Sequence, residues 1–150
     1  MILLELFGNP VPCGRPRFRR TGTFVQIYDP QEKLKEGYKW QIKSQFRETP
    51  IAVPVILDMQ FFMPIPKSTS KAKRRQMLTG EIAHMVRPDL DNLQKFILDC
   101  LNDLVFEDDS QVIQISARKC YSDNPGTVLR IRTMNEFKRD LTNENYARSS

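Results

Sequence analysis

The sequence predicts an α+β fold in a single compact domain, and three observations carry that expectation. Apolar residues alternate in the manner of a strand over 53–63, and 2–7, 111–121 and 127–134 also read as strands, the first ended and the last two joined by turn residues. Stretches near 30–47 and from Asp91 to about Leu104 instead repeat with the helical period. The chain has 150 residues, 40% hydrophobic and 27% charged, which suits one domain able to bury a core without disulfide or metal staples.

Ile2 to Phe7 forms the first expected strand, ended by Gly8-Asn9-Pro10. Residues 11–20 follow as a Pro- and Gly-rich loop carrying Arg15, Arg17, Arg19 and Arg20 around Phe18. The forked guanidinium donors match phosphate oxygens, and Phe18 is suited to stack on a base. Asp29-Pro30-Gln31-Glu32 predicts a helix start, with Asp29 as cap, Pro30 in the first turn and Glu32 in the capping-box place. Leu34, Tyr38, Ile42 and Phe46 then form its buried stripe, and Trp40 falls off that stripe at an element edge.

Val53, Val55, Leu57, Met59, Phe61 and Met63 alternate with Asp58 and Gln60, which predicts a half-buried strand ended by Pro64 and Pro66. A short basic helix is expected over Ser68 to Leu78, ending before Gly80. Lys67, Lys71, Lys73, Arg74 and Arg75 give that segment its charge. The loop at 79–88 holds the one histidine, His84, a candidate substrate contact. The best-defined helix begins at Asp91, which is expected to cap it with Gln94 in the capping-box place. Leu93, Phe96, Ile97, Cys100, Leu101 and Leu104 share an arc of about 140°. Two closing strands, Gln111 to Tyr121 and Thr127 to Met134, are joined by the turn residues Ser122-Asp-Asn-Pro-Gly126, so they are expected to pair as an antiparallel hairpin. From Asn135 the chain is polar, either a loosely attached helix or a frayed end.

Several classes are excluded or disfavoured. No apolar run approaches the roughly 20 residues of a membrane span. Met1-Ile-Leu-Leu-Glu5 lacks a basic leader, so no secretory signal is expected. Cys13, Cys100 and Cys120 are odd in number and have no CxxC spacing. That argues against a disulfide scaffold or a zinc ribbon and for a reducing cytoplasm.

Charge divides the chain. Residues 1–80 hold 14 Lys or Arg against 6 Asp or Glu, whereas residues 81–150 hold 9 against 12. Within 87–109, Arg87 and Lys95 face Asp89, Asp91, Asp99, Asp103, Glu107, Asp108 and Asp109. A basic half suggests a polyanionic partner, since each neutralised phosphate releases counterion. Phosphate repels an acidic island, however, unless a divalent cation lies between them. The combination favours a metal-dependent enzyme acting on nucleic acid over a plain binding module.

On the Asp91 helix, Asp91, Lys95, Asp99 and Asn102 project at about 0°, 40°, 80° and 20°, opposite the apolar arc. Pro88 keeps the preceding chain extended, and alternate residues of an extended segment share a side, so Asp89 and Asp91 can point together. Such hard oxygen ligands select Mg²⁺ or Mn²⁺. A second acidic pair, Asp108 and Asp109, stands before the strand at 111–121. That strand returns along the helix and can bring either this acidic turn or the basic pair Arg118 and Lys119 near Asp89. A purely structural account makes Asp91 a cap paired with Lys95, worth about 0.3–0.5 kcal/mol. It leaves Asp89, Asp108 and Asp109 unexplained.

The segments Arg87-Pro-Asp-Leu-Asp-Asn-Leu-Gln-Lys95, Leu98-Asp-Cys-Leu-Asn102 and Glu107-Asp-Asp-Ser-Gln-Val112 resemble the RusA family of Holliday junction resolvases, crossover junction endodeoxyribonucleases. The likeness extends to the early strand with its Pro/Arg loop, the Ser/Lys-rich helix and the closing strands. It implies a compact α+β homodimer with a mixed, largely antiparallel sheet packed by helices. It also implies Mg²⁺-dependent nicking of four-way DNA junctions in recombination and repair. The family's essential carboxylates correspond to Asp89, Asp91 and Asp109, with Asp108 the alternative to Asp109, and its essential lysine to Lys95. The nuclease domain is expected at 1–137, with a polar tail at 138–150. Arg15, Arg17, Arg19, Arg20, Lys67, Lys71, Lys73, Arg74 and Arg75 are the expected DNA contacts. The rival expectations are a Mg²⁺ nuclease for other branched DNA and a non-catalytic junction or single-strand binder.

Overall fold

A computed structural model describes the backbone of residues 1–149 and the side chains of residues 1–144. The strands are β1 (Ile2–Phe7), β2 (Arg17–Thr21), β3 (Phe24–Tyr28), β4 (Val55–Pro64), β5 (Val112–Ser122) and β6 (Gly126–Thr133). The helices are α1 (Glu32–Gln45), α2 (Lys71–Thr79), α3 (Leu90–Leu101) and α4 (Met134–Ser149), with a 3₁₀ turn at Asp109–Gln111. The main sheet has the order β1-β6-β4-β5, antiparallel except for the parallel β4–β5 pair. This is the mixed, largely antiparallel α+β arrangement expected. None of the described helices is long and apolar enough to cross a membrane.

The core lies between one face of this sheet and two helices. Leu57, Met59, Phe61 and Met63 alternate inward from β4, joined by Leu4 and Leu6 of β1 and Leu129 and Ile131 of β6. Tyr38, Ile42 and Phe46 enter from α1 and its end; Leu93, Phe96, Ile97, Cys100 and Leu101 enter from α3. Phe96 meets the Tyr38 ring edge-on, with centroids 5.1 Å apart, and locks the two helices together. Cys100 is fully buried, and burial pushes its thiol up to about 12, as suits a core residue.

Several sequence expectations are corrected. Residues 17–20 are not loop: β2 pairs with β3 in a separate two-stranded ribbon, turned at Gly22 with φ of 63°. Every residue of both strands is exposed, so no inside-outside alternation marks them in the sequence. The start of α1 is Glu32, because Asp29 caps an earlier turn, accepting the Gln31 N–H at 2.8 Å. Leu34 consequently stays outside the stripe, 43% exposed. The strand expected from Val53 begins at Val55, after Pro54, and Val53 is exposed.

The expected closing hairpin is also absent: β5 and β6 do not pair, because β4 lies between them. Pro64, opposite Ser122, ends β4 and lets the 122–126 turn pass over it, so that Gly126 drops beside Phe62 on the far side. A Cβ at Gly126 would meet the Leu6 carbonyl oxygen at 2.9 Å, so the crossing needs glycine. The basic helix is α2, capped by Ser70, which accepts the Lys73 N–H, and ended by Gly80 at φ of 84°. The polar end from Asn135 is helical as α4, and the boundary expected at 137 falls inside it. In the expected tail, residue 150 and the side chains of 145–150 lie outside the described residues.

Phe96 has no exposed surface and sits at the junction of both helices and the sheet. Phe96→Ala should cost about 3–5 kcal/mol of unfolding free energy. Urea titration should show a lowered midpoint with an unchanged slope.

Candidate active site

Helix α3 builds the centre of the site. Its apolar arc is buried, so its opposite stripe must face outward, and Asp91, Lys95 and Asp99 are all exposed. The helix starts earlier than expected: Asp89, not Asp91, is the residue before the first turn, with its carbonyl accepting the Leu93 N–H at 3.2 Å. Leu90 packs against the core as the first helical residue, which explains the shift. At the other end Asn102 closes α3 and Asp103 turns left-handed, with φ of 61°, so Leu104 lies beyond the helix.

Asp89 makes no capping hydrogen bond. Among the described residues, the salt bridges engage Asp29, Asp58, Asp99, Asp123, Asp140 and Glu136, and none engages Asp89, Asp91, Asp109 or Lys95. The ion pair between Asp91 and Lys95 that a structural role requires is therefore not formed. Two solvent-facing carboxylates stand instead at a helix N-terminus, where the backbone dipole favours negative charge. Free, hard oxygen donors of this kind fit Mg²⁺ or Mn²⁺.

The second acidic pair divides. Asp108 caps the 3₁₀ turn: its carboxylate accepts the Ser110 N–H at 3.1 Å and the Ser110 hydroxyl, while Gln111 Oε1 accepts the Asp108 N–H at 2.9 Å. The Ser110 hydroxyl, followed by the Ser110 amide, holds the Asp108 carboxyl below the usual carboxylate range. Asp109 is exposed and carries no such bond.

Asp109 does not meet Asp89 within one chain. It lines a cleft of about 590 Å³ with Asp99, Asn102 and Asp103 at the C-terminal end of α3. Asp89 instead lines one of about 510 Å³ with Cys13, Pro88 and Asn92 at the other end. Among the described residues, no group of three or more His, Cys, Asp or Glu side chains is placed to hold a metal ion. What β5 brings to Asp89 is its basic end: Lys119 Nζ donates to the carbonyls of Val86 and Pro88, each at 2.8 Å.

Sequence reasoning missed Lys35. Its ammonium donates to Asp29 at 2.6 Å and Asp99 at 2.8 Å, fastening α1 to α3 across the larger cleft. Burial alone would lower its pKa, but the bonds to Asp29 and Asp99 outweigh that and hold it well above the usual lysine value. Nothing local marks a partner 64 residues away.

The basic segments flank the acids. The β2–β3 ribbon presents Arg17, Arg19, Phe24 and Tyr28 on one face and Phe18, Arg20, Val25 and Ile27 on the other, as the cross-strand register requires. Arg15, Lys67, Lys71, Lys73 and Arg75 are exposed as well, whereas Arg74 is half-buried and paired with Asp123.

A basic surface with an arginine-rich ribbon, displaying unpaired carboxylates at one helix end, defines a class: proteins that present hard oxygen ligands to a phosphodiester backbone, as nucleases do. The chain belongs to the RusA endodeoxyribonuclease family, whose profile, described as Endodeoxyribonuclease RusA, matches residues 8–132. It is also 36% identical over 135 residues to a Bacillus subtilis (strain 168) protein described as "Uncharacterized protein YqaN", covering 87% of this chain and 95% of that relative.

His84 is buried beside the acid-bearing loop, its ring 4.7 Å from that of Tyr121. Burial, and then the charge of Lys119, hold its pKa below the ordinary 6.5. The unfolded chain therefore takes up this proton first as pH falls. Stability from the neutral ring is present above 6.5 and is lost between 6.5 and the lower folded value. Urea midpoints should fall as pH drops from about 7 to about 5, and His84→Phe should flatten that dependence.

Proposed function

We propose that this chain is a Mg²⁺-dependent endodeoxyribonuclease that resolves four-way DNA junctions in recombination and repair by paired symmetric nicks. The observation that carries this is the free acid pair Asp89 and Asp91, set at the end of a helix whose rotation the core fixes. Asp89, Asp91 and Asp109 would hold the cation, and Mn²⁺ has the same donor preference. When bound, the cation supplies Lewis-acid polarisation of the scissile phosphodiester and a nucleophilic water at neutral pH. Lys95, one turn from Asp91 and free of protein partners among the described residues, stabilises negative charge growing on the phosphoryl oxygens. Asp108 serves the fold of the turn, which leaves Asp109 as the ligand from that pair.

The three carboxylates belong together only if a second copy completes the site. Helix α3 spans 12 residues, about 18 Å, and Asp89 and Asp109 line separate clefts at its two ends. A twofold partner with its α3 antiparallel sets Asp109 of one copy against Asp89 and Asp91 of the other. Such a homodimer carries two equal sites, as two symmetric cuts require. The β2–β3 ribbon and α2 flank these sites and grip phosphates of the arms, so that shape counts more than base identity.

Incubation with a labelled synthetic four-way junction tests the reading, beside a linear duplex control. Nicking should need Mg²⁺, cease with EDTA, and fall at least about a hundredfold in Asp89→Asn, while junction binding persists or tightens. Nicking that survives both chelation and Asp89→Asn would refute it, and binding without any nicking would mark a non-catalytic junction binder.

A further inference from the structure

We propose that Lys119 is a positioning residue for the acid pair, a role that rests on the proposed metal-dependent cleavage. The connector between α2 and α3 covers residues 80–89 and ends on Asp89. It leaves most of its apolar surface unburied: Met85 is 86% exposed and Val86 58% exposed. Two side chains from one face of β5 hold it. Tyr121 packs its ring on buried His84, and Lys119, two residues earlier, donates to the carbonyls of Val86 and Pro88, each at 2.8 Å.

The second of these bonds lies one peptide from Asp89. Val86 and Pro88 carbonyls that point at one ammonium cannot turn independently, so the intervening Arg87-Pro88 segment and the direction in which Asp89 leaves it are fixed together. β5 is an edge strand, bonded on one side to β4, and its parallel register with that strand sets the height at which Lys119 reaches the loop. Lys119 touches neither carboxylate in a salt bridge among the described residues; it acts through the backbone. A second layer of this kind tunes metal affinity by orienting the ligands.

Lys119→Met keeps the aliphatic stem and removes the donors, whereas Lys119→Arg keeps charge and paired donors. Mn²⁺ binding to DNA-free protein, followed by electron paramagnetic resonance of the free ion, should weaken about 10–100-fold in Lys119→Met and stay within about threefold of wild type in Lys119→Arg. Amide exchange over residues 84–91 should accelerate in Lys119→Met alone, while the middle of α3 is unchanged. Junction binding in EDTA should be the same in all three proteins. Wild-type Mn²⁺ affinity and exchange in Lys119→Met would overturn the proposal, as would an arginine variant as defective as the methionine one. Should Lys119→Met fail to fold, Lys119→Gln, whose amide is too short to reach both carbonyls, is read by the same criteria. A wild-type chain that never nicks junctions sinks the cleavage reading; a wild type that nicks, with Lys119→Met equal to it at every Mg²⁺ concentration, sinks this inference alone.

Discussion

Burial of one face of α3 is the constraint on which the site depends. Leu93, Phe96, Ile97, Cys100 and Leu101 are each 2% exposed or less, packed between α1 and the sheet. A helix held so firmly has no freedom to rotate, and a half-turn would bury Asp91 and Lys95 without partners, at a cost of several kcal/mol per charge. The polar stripe is therefore presented outward by the same contacts that stabilise the fold. The length of α3 then places its two acidic ends apart.

Around that helix, the fold sorts carboxylates into those with a structural task and those without. Asp29 and Asp99 share Lys35, Asp58 pairs with Arg132, and Asp108 caps a turn. Glu136 takes the N-terminal ammonium, whose hydrogen bond pulls its carboxyl down to about 2. Asp89, Asp91 and Asp109 are left to solvent, as are Glu48, Glu81 and Glu107. At the N-terminus of α3 the backbone dipole favours the negative charge of Asp89 and Asp91, so neither needs a protein cation to stay ionised.

Much of this was legible in the sequence where burial leaves a period. The arc of α3, the alternation of β4 and the end of α2 at Gly80 follow directly from residue spacing and capping chemistry, whereas its start, expected at Ser68, falls after the Ser70 cap. The β2–β3 ribbon was not legible, because both its faces are wet and nothing alternates. The expected β5–β6 hairpin failed for a different reason. A turn-rich Ser122–Gly126 segment favours a reversal, but β4 occupies the intervening place in the sheet, a long-range pairing that no local signal reports. The Asp89–Asp91 pair was visible as spacing before Lys95. That Asp89 rather than Asp91 begins the helix depended on Leu90 joining the core, and that Lys119 rather than the acidic turn meets the loop depended on the parallel register of β4 and β5.

Under the proposed function, one copy would hold only part of the ligand set and a second copy would complete it. Mixed dimers of Asp89→Asn and Asp109→Asn measure this directly, since each variant alone should be inactive on four-way junctions. If the carboxylates are shared between copies, a mixed dimer carries one site with both substitutions and one with neither, and single Mg²⁺-dependent nicks reappear on mixing. If each copy holds a complete site, every site in the mixture carries one substitution, and the mixture stays as inactive as its parts.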